Sequence, residues 1–451
     1  MPTAKSIEML DRIRRQLRVS GPLSSTELCR TLKLSQPQLS RYLAKLTANE
    51  AHSIRQGRTT LYYLKRKLDG VGLEIPVHSV GTTGAVSKLG ALFPVQPNGM
   101  LWRSEGANNY AWSSDLPYFL QDLRPSGFLG RMIPRQFPEW NFPDDVRVWS
   151  ADVVLRYLVN FGYDQVGNLI VGEVALRKYL EQLRVKPNKR IDDIQHFENL
   201  AEEVLAHGIP GSSAAGEHPK FLTRRPSDGR EVLVKFTQLG DTATALRRQD
   251  LLASESIALD VYSESNSQPR LSRIVRGSEN LFFEIQRFDR HLPRGRSGVI
   301  TLASLDNEFL GSGQSWTKAI QTPNAARILD RGVVDEIFRR EFFGLLIGNN
   351  DMHSGNLSFY FDNHEIKGLA PLYDMLPMRY APYQDRLLNT PIDGLVPVPE
   401  RIEIWDKAFE MATEFWLRTS QSSRISKAFR AIAKSNLQVL KELEDLRRSI
   451  T

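Results

Sequence analysis

The stretch that decides the fold runs from residue 348 to residue 356 and reads Gly348-Asn349-Asn350-Asp351-Met352-His353-Ser354-Gly355-Asn356. It spaces an aspartate and an asparagine as Asp-x-x-x-x-Asn, the interval of the protein-kinase catalytic loop. Phosphoryl transfer needs a carboxylate that orients and deprotonates the attacking hydroxyl, and oxygen ligands that hold Mg²⁺ across the phosphates. Asp351 can be that catalytic base, and Asn356 can be one of the metal ligands. The stretch therefore predicts a phosphoryl-transfer site.

A second carboxylate for the metal is predicted at Asp374. It follows a turn signal, Asp362-Asn363-His364, and an apolar run over residues 369–372. A metal-binding aspartate at the end of a short hairpin would have this setting. Aspartate and asparagine are also common turn formers, so an ordinary loop stays an alternative for each motif taken singly.

Further parts of a kinase are predicted upstream, in the expected order. Residues 208–221 are rich in small residues whose backbone N–H groups suit an anion cradle, although they form no Walker A motif. Residues 232–236 read as a β-strand that carries Lys235, a candidate ligand of the nucleotide phosphates. Glu255, in a helical stretch over residues 246–259, is a candidate partner for Lys235. A solvated edge-strand lysine and a surface glutamate are the structural alternatives. Residues 281–289 read as a strand and a polar break, the form of a hinge whose backbone receives adenine.

Together the ordered motifs resemble those of the HipA family of bacterial serine/threonine kinase toxins. The resemblance covers roughly residues 76–440, including a segment similar to the family's amino-terminal subdomain at residues 116–130. The motifs are Ser213-x-x-Gly216-x-x-Pro219-Lys220, the strand lysine Lys235, Gln286-Arg287-Phe288-Asp289-Arg290, Asn350-Asp351-x-His353-x-x-Asn356-x-Ser358 and Leu369-Ala370-Pro371-Leu372-Tyr373-Asp374.

The resemblance implies a two-lobed, protein-kinase-like fold that transfers phosphate from ATP to a serine or threonine of a cytoplasmic protein and so inhibits growth. It implies Asp351 as the catalytic base, and Asn356 and Asp374 as Mg²⁺ ligands. The residues that it places at the nucleotide are Ser213, Gly216, Lys220, Lys235, Gln286, Phe288 and His353.

The resemblance also implies self-regulation through the phosphate loop. The family autophosphorylates a serine there, which ejects the loop and stops the enzyme; Ser213 matches that position, and Ser212 is its neighbour. A phosphate adds about two negative charges, which would repel ATP from the cradle. Glu217 and His218 depart from the family pattern, which has smaller or amide residues at these loop positions.

His353 also permits a metallohydrolase interpretation, with Asp374 as a second ligand. The chain's 8 histidines and 1 cysteine show neither His-x-x-x-His nor Cys-x-x-Cys spacing, which disfavours a zinc site. We expect His353 to hydrogen-bond within its own loop and to keep Asp351 oriented.

The amino-terminal segment has a different character. Residues 1–68 hold 14 Lys+Arg and 4 Asp+Glu, a net +10, whereas the whole chain is +7. A helix over residues 6–18 is followed by two short helices, each opened by a capping box, Ser24-x-x-Glu27 and Ser35-x-x-Gln38. A strand-turn-strand over residues 54–64 completes a predicted winged helix-turn-helix.

This module is predicted to bind DNA. Glutamine and arginine can read base edges, and basic side chains of the wing can contact phosphates. The candidate contact residues are Gln36, Gln38, Ser40, Arg41, Lys45, Arg55 and Arg58. A dimerisation module with a solvated basic face is the alternative. Because DNA binding lies in a separate antitoxin in typical HipA systems, its fusion here suggests that the protein regulates its own promoter.

The fold class expected for the chain is α+β, with three domains. They are a winged helix-turn-helix at residues 1–68, a HipA-like amino-terminal subdomain at residues 76–206, and a kinase core with a carboxy-terminal helical lobe at residues 207–451. Residues 70–72 and 75–77 read as a linker, and residues 405–446 as two or three amphipathic helices. The chain has a lone cysteine, Cys29, and no apolar run long enough for a membrane span. We therefore expect the protein to be located in the cytoplasm, which is reducing.

Three rival functions remain open on sequence. They are a DNA-binding regulator with an inactive kinase-like domain, a small-molecule phosphotransferase, and a metal-dependent nuclease that uses the aspartates and the basic domain. We expect ATP and Mg²⁺ as cofactors, a protein substrate, DNA as a partner of residues 1–68, and an antitoxin and a homodimer as further candidates.

Overall fold

The computed structural model describes residues 4–185, 191–206, 218–313, 315–383, 386–393 and 396–448. The predicted phosphate loop up to residue 217, with Ser212, Ser213 and Gly216, lies outside the described residues. Two compact units make up the chain: residues 1–124 with 147–185, and residues 125–146 with 186–451. Both units mix helices and sheets, as expected for the α+β class.

The first unit begins with three helices and a small sheet. The elements are α1 (Ala4–Ser20), β1 (Leu23–Ser24), α2 (Ser25–Leu32), α3 (Gln36–Asn49), β2 (Ala51–Gln56) and β3 (Thr59–Leu64), with strand order β1-β3-β2. Both predicted capping boxes form, because Ser24 N donates to Glu27 Oε2 at 2.8 Å and Ser35 N donates to Gln38 Oε1 at 3.2 Å. Apolar side chains spaced one helical turn apart form the core: Ile13, Leu17, Leu28, Leu39, Leu43 and Leu46.

A five-stranded antiparallel sheet completes the first unit. Its strands are β4 (Ile75–Val80), β5 (Val86–Pro94), β6 (Met100–Ser104), β7 (Ala111–Ser113) and β8 (Leu169–Val171), in the order β7-β6-β5-β4-β8. Helix α4 (Gly127–Gln136) belongs to the second unit, and α5 (Ala151–Phe161) and α6 (Glu173–Gln182) lie against this sheet.

The interpretation of residues 75–77 as a linker is wrong. These residues open β4, an interior strand paired with both β5 and β8. Their burial explains the difference, since Ile75 and Val77 are 1% and 0% exposed. A short strand directly after a glycine-rich turn can resemble a linker in composition, and one of its two pairing partners, β8, is distant in sequence.

The second unit contains a four-stranded antiparallel sheet flanked by two helices. The elements are α7 (Asp193–Ala206), β9 (Lys220–Arg224), β10 (Glu231–Gln238), α8 (Ala243–Ser265), β11 (Ser272–Arg276) and β12 (Asn280–Gln286), with strand order β11-β12-β10-β9. Phe197 of α7 packs on Phe221, Val234 and Phe282 of the sheet. Helix α7 therefore shares the core of this sheet, although the predicted boundary at residue 206 groups it with the preceding subdomain.

The rest of the second unit is mainly helical. It comprises β13 (Arg290–His291), β14 (Gly295–Arg296), β15 (Val299–Thr301), α9 (Leu302–Leu305), α10 (Trp316–Ile320), α11 (Arg331–Leu346), β16 (Ser358–Asp362), β17 (Glu365–Leu369), α12 (Ile402–Gln421) and α13 (Lys427–Arg448). The hairpin predicted before Asp374 is present as β16–β17, and its turn residues Asn363 and His364 have φ of 49° and 65°. No helix of the described part is both long and apolar enough to cross a membrane.

Candidate active site

The centre of the site is the strand lysine. Alternate residues of β10, among them Val232 and Val234, pack towards α7, so Lys235 projects from the opposite face, where α8 lies. Its Nζ donates to both carboxylate oxygens of Glu255, at 2.7 and 2.8 Å, and to Oδ1 of Asp374 at 2.6 Å. Because Glu255 is 0% exposed and β10 lies between β9 and β12, the edge-strand lysine and the surface glutamate are excluded.

Neighbouring charges, rather than burial, decide the ionisation of Lys235 and Asp374, whereas burial raises the pKa of Glu255. Burial acts to lower the pKa of Lys235, but the carboxylates of Asp374 and Glu255 raise it above its ordinary value. Burial acts to raise the pKa of Asp374, but the ammonium groups of Lys235 and Lys220 hold that pKa at about 2. Lys235 and Asp374 are therefore both charged at neutral pH.

The predicted catalytic loop follows α11 and contains a short 3₁₀ turn, Ser354–Asn356. Asp351 is exposed at the start of this loop, whereas Asn356 is buried. Nδ2 of Asn356 donates to the Asp351 carbonyl oxygen at 3.0 Å, which leaves Oδ1 of the same amide to accept or to bind a cation. His353 accepts from the Gly355 backbone N–H through Nδ1 at 3.1 Å, so its hydrogen bond lies within the loop.

Asn349 is a supporting residue that the sequence analysis did not select. It is 2% exposed; its Oδ1 accepts from Asp351 N at 3.1 Å, and its Nδ2 donates to the Asp374 carbonyl oxygen at 3.3 Å. One side chain thus connects the residues predicted as base and metal ligand. Two asparagines directly follow an apolar helix and Gly348 in the sequence. This pair could have indicated a supporting role, because a buried amide needs hydrogen-bond partners.

The two predicted hinge residues, Phe288 and Gln286, have different contacts. Phe288 lies beside the site, and its ring stacks on Tyr373 with centroids 6.0 Å apart. Gln286 ends β12; its N–H donates to the Leu271 carbonyl oxygen at 2.7 Å, and its side-chain oxygen accepts from Arg230 at 3.0 Å. The Gln286 side chain is therefore engaged with Arg230.

Lys220 and His218 lie near Lys235, and only the lysine adds positive charge there. Lys220 of β9 is the cross-strand partner of Lys235. His218 is 7% exposed; its burial, together with the charges of Lys235 and Lys220, lowers its pKa to about 3. Among the residues that the structure describes, Nε2 of His218 has no hydrogen-bond partner. Paired lysines and a buried unpartnered ring nitrogen are a setting that suits a polar anionic ligand.

The oxygen donors fit Mg²⁺ held jointly with a nucleotide. Within the described ranges no group of three or more His, Cys, Asp or Glu could hold a metal ion. Magnesium is commonly bound by one or two protein groups together with substrate phosphates, rather than by an all-protein cage. A carboxylate from Asp374 and the amide oxygen of Asn356 match that pattern.

The candidate DNA-contact residues lie in the other unit. Gln36, Ser40, Arg41 and Lys45 are exposed on α3, and Arg41 and Lys45 lie opposite the buried leucines of that helix. Gln38 is exposed as well, but its side-chain oxygen is used by the capping box. Arg55 and Arg58 are exposed on the β2–β3 hairpin.

Comparison with known proteins gives consistent relationships. Residues 71–180 match the YjjJ-like toxin middle domain, and residues 212–440 match the HipA-like C-terminal domain. The chain is 35% identical to Toxin YjjJ of Escherichia coli (strain K12) over 439 residues, 95% of this chain and 97% of that protein.

A solved structure shares the fold. It is a chain of the Shewanella oneidensis MR-1 toxin–antitoxin complex of HipA, HipB and operator DNA, with a TM-score of 0.51 at 14% identity over 82% of this chain and 99% of that one. The order of the motifs, the two domain matches and the near full-length relative agree, and the chain belongs to the HipA-like toxin family, with the middle domain of YjjJ-like toxins.

Proposed function

We propose that the protein is an ATP-dependent serine/threonine protein kinase of the HipA type. The observation that carries the proposal is the contact of Lys235 with both Glu255 and Asp374, next to a loop that presents Asp351 and Asn356. A buried lysine with a helix-borne glutamate and a metal-binding aspartate is the arrangement that protein kinases use to hold nucleotide phosphates.

Each residue then has a chemical task. Lys235, with Lys220, binds the phosphates of ATP, and Glu255 keeps the ammonium group in place. Asp351 accepts the proton of the substrate hydroxyl while the hydroxyl oxygen forms a bond to the γ-phosphorus. The bond between the γ-phosphorus and the oxygen that leaves with ADP breaks at the same time. When bound, Mg²⁺ neutralises charge on the phosphates, and Asp374 and Asn356 are the residues that would hold it.

Self-phosphorylation is part of the proposal. Ser212 and Ser213 are the acceptors that the family resemblance implies, and a phosphate there would turn the enzyme off. Growth inhibition in the cytoplasm and an antitoxin partner are further elements of this proposal, which rests here on the family.

Nucleotide binding tests the proposal against the rival functions. The full chain would be titrated with Mg²⁺ and a non-hydrolysable ATP analogue in a calorimeter, beside Lys235→Met and a control, Lys367→Met, at an exposed position of β17. We expect binding by wild type and control, and loss of about 100-fold in affinity in Lys235→Met. Absence of binding by the wild type would leave a regulator or a nuclease in its place.

A second proposed function is DNA binding by a winged helix-turn-helix within residues 1–68. The observation that favours it is the segregation on α3, where leucines are buried and Arg41 and Lys45 are exposed, within a segment of net charge +10. A homodimer is proposed with it, because such modules commonly bind palindromic sites. Fluorescence anisotropy with duplex DNA from the protein's own promoter tests this function, and affinity equal to that for random DNA would contradict promoter control.

A further inference from the structure

The residue before the predicted metal ligand connects three parts of the candidate active site. The Tyr373 hydroxyl donates to the Gly355 carbonyl oxygen at 2.9 Å, and it lies 2.7 Å from Oγ of Ser358. The Tyr373 ring stacks on Phe288, with 25° between the planes. The Tyr373 side chain therefore contacts both the predicted catalytic loop and the predicted hinge, and its backbone is bonded to Asp374.

The direction of the two hydrogen bonds follows from the groups involved. A phenol has a single hydrogen, and a carbonyl oxygen can only accept, so the Tyr373 hydrogen points to Gly355. The Ser358 hydroxyl must then be the donor to the Tyr373 oxygen. Ser358 is 3% exposed and lies on β16, so the chain Ser358–Tyr373–Gly355 starts from a fixed strand. Each bond of such a chain polarises the next, which strengthens both.

The Gly355 carbonyl belongs to the peptide group that precedes Asn356. Because a peptide group is planar, a hydrogen bond to this carbonyl also fixes the orientation of the Asn356 backbone N–H. That N–H donates to the His353 carbonyl oxygen at 2.9 Å, and Nδ2 of Asn356 donates to Asp351 at 3.0 Å. The carbonyl that Tyr373 holds therefore helps to determine where Oδ1 of Asn356 points.

We propose that Tyr373 is a positioning residue that sets the spacing of the two predicted Mg²⁺ ligands. It is bonded directly to Asp374, and it holds Asn356 through the Gly355 carbonyl. The inference rests on the proposed kinase function for the identity of the metal and nucleotide. Its physical content, the support of the loop by one phenol hydroxyl, can be measured without turnover.

Three substitutions distinguish the effect of the Tyr373 hydroxyl from the effect of the Tyr373 ring. Tyr373→Phe removes the hydroxyl and keeps the stack on Phe288. Ser358→Ala removes the donor at the far end but leaves the bond to Gly355. Tyr360→Phe is the matched control, because its ring meets Phe288 edge-on at 6.1 Å and its hydroxyl takes no part in the chain. We expect the effects to decrease in that order.

Two measurements on the full-length protein test the inference. The first is hydrogen exchange of the Gly355 and Asn356 amides without ligands, which we expect to be about tenfold faster in Tyr373→Phe, the loss expected for one hydrogen bond. The second is a calorimetric Mg²⁺ titration at a saturating concentration of a non-hydrolysable ATP analogue. We expect the Mg²⁺ midpoint to rise about tenfold in Tyr373→Phe and to stay at the wild-type value in Tyr360→Phe. In turnover, kcat should fall with little change in the KM for ATP.

The outcomes distinguish the inference from the proposed function. Equal amide exchange and equal Mg²⁺ midpoints in Tyr373→Phe and Tyr360→Phe overturn the positioning role. A shifted midpoint in a protein that never transfers phosphate supports the positioning role and overturns the kinase. A wild-type protein that binds neither Mg²⁺ nor the analogue overturns both.

Discussion

At the scale of single residues, Asp374 combines a left-handed backbone with a charged side chain. Its φ is 56°, a region where asparagine and aspartate are better tolerated than other side chains. We expect Asp374→Asn to unfold at a lower urea concentration than wild type, because it removes the charge that pairs with Lys235, although the backbone conformation is still tolerated. Asp374→Ala should lose about 1 kcal/mol more. Both variants should transfer phosphate at least about 100-fold more slowly, since the charge opposite the metal is gone. Equal stability of the two variants would contradict the backbone argument.

Two aspartates of the second unit should respond oppositely to neutralisation. Burial raises the pKa of Asp260 to about 6, despite Arg270, whereas the hydrogen bond from Arg225 lowers the pKa of Asp228. A raised carboxyl pKa means that the stabilising contribution is complete below the ordinary value of 3.8 and is lost as the pH rises through about 6. A lowered pKa has the reverse sign, so the contribution of Asp228 is present above 3.8 and is lost as the pH falls below it.

Asp260→Asn should therefore raise the unfolding temperature at pH 8 by about 2–4 °C and change it less at pH 5. Asp228→Asn should lower the unfolding temperature at pH 8, because the partner of Arg225 is neutralised. Thermal unfolding followed by circular dichroism at the two pH values measures both. A destabilised Asp260→Asn at pH 8 would show that the Arg270 pair outweighs the cost of burial.

The residues to which the sequence assigns chemical roles were easier to predict than some of those that support them. Asp351 and Asn356 were selected from the spacing of the protein-kinase catalytic loop, and Lys235 and Asp374 from the strand and the hairpin that precede them. Tyr373 lies within a recognised motif, yet its bond to Gly355 depends on how two loops meet after folding. The sequence does not indicate this proximity, because the turn of the β16–β17 hairpin separates Tyr373 from Gly355 and Ser358.

At the scale of elements, α8 contacts both Lys235 and the segment after Asp374. The Arg247 guanidinium, 3% exposed, donates to the carbonyl oxygens of Tyr380 and Leu388 at 3.1 and 3.0 Å, and to Oδ1 of Asn389 at 2.8 Å. The same helix presents Glu255 to Lys235. Arg247 therefore connects the helix that carries Glu255 to the segment after Asp374.

Arg247→Met tests this role of the helix. The substitution keeps the volume but leaves buried carbonyl groups without donors, so we expect the free energy of unfolding to fall by about 2–4 kcal/mol. Arg248→Met, at the exposed neighbouring position, is the control and should change it by less than about 0.5 kcal/mol. Urea denaturation gives both values. Indistinguishable midpoints for the two variants would contradict a stabilising role for the Arg247 hydrogen bonds.

Element boundaries show where sequence periodicity succeeds and where it fails. The helical stretch over residues 246–259 is the middle of α8, Ala243–Ser265, and the strand at residues 232–236 is the middle of β10. Helix α7 packs on the β9–β12 sheet, which its sequence did not indicate, because a helix pattern identifies an apolar face but not the sheet that covers it. The first residues of β4 were taken for a linker because a strand of this length carries no mark of the strands with which it pairs.

At the scale of the whole molecule, positive charge is concentrated in the amino-terminal segment. With +10 in residues 1–68 and +7 in the chain, the remaining residues sum to −3. We expect Arg58→Ala, at the hairpin tip, to weaken DNA binding uniformly and to reduce the salt slope by about 1, the value for one lost phosphate contact.

Arg41→Ala, on α3, should instead cost about 1–3 kcal/mol of discrimination between DNA sequences. Arg15→Ala removes the same charge from an exposed position on α1 and serves as the control. Anisotropy titrations over a range of salt concentrations give the slopes. Identical slopes for Arg58→Ala, Arg15→Ala and wild type would contradict a DNA-contacting hairpin.

Transfer of phosphate to a serine or threonine is the central claim, and its most direct measurement is mass spectrometry after incubation with ATP and Mg²⁺. Wild type, Asp351→Asn and the control Asp362→Asn, which neutralises an exposed aspartate of the β16–β17 turn, would be compared. We predict acid-stable phosphate on Ser212 or Ser213 in wild type and control, and at least about 100-fold less in Asp351→Asn. Phosphate that accumulates equally in Asp351→Asn, or in none of the three proteins although ATP binds, would contradict the account.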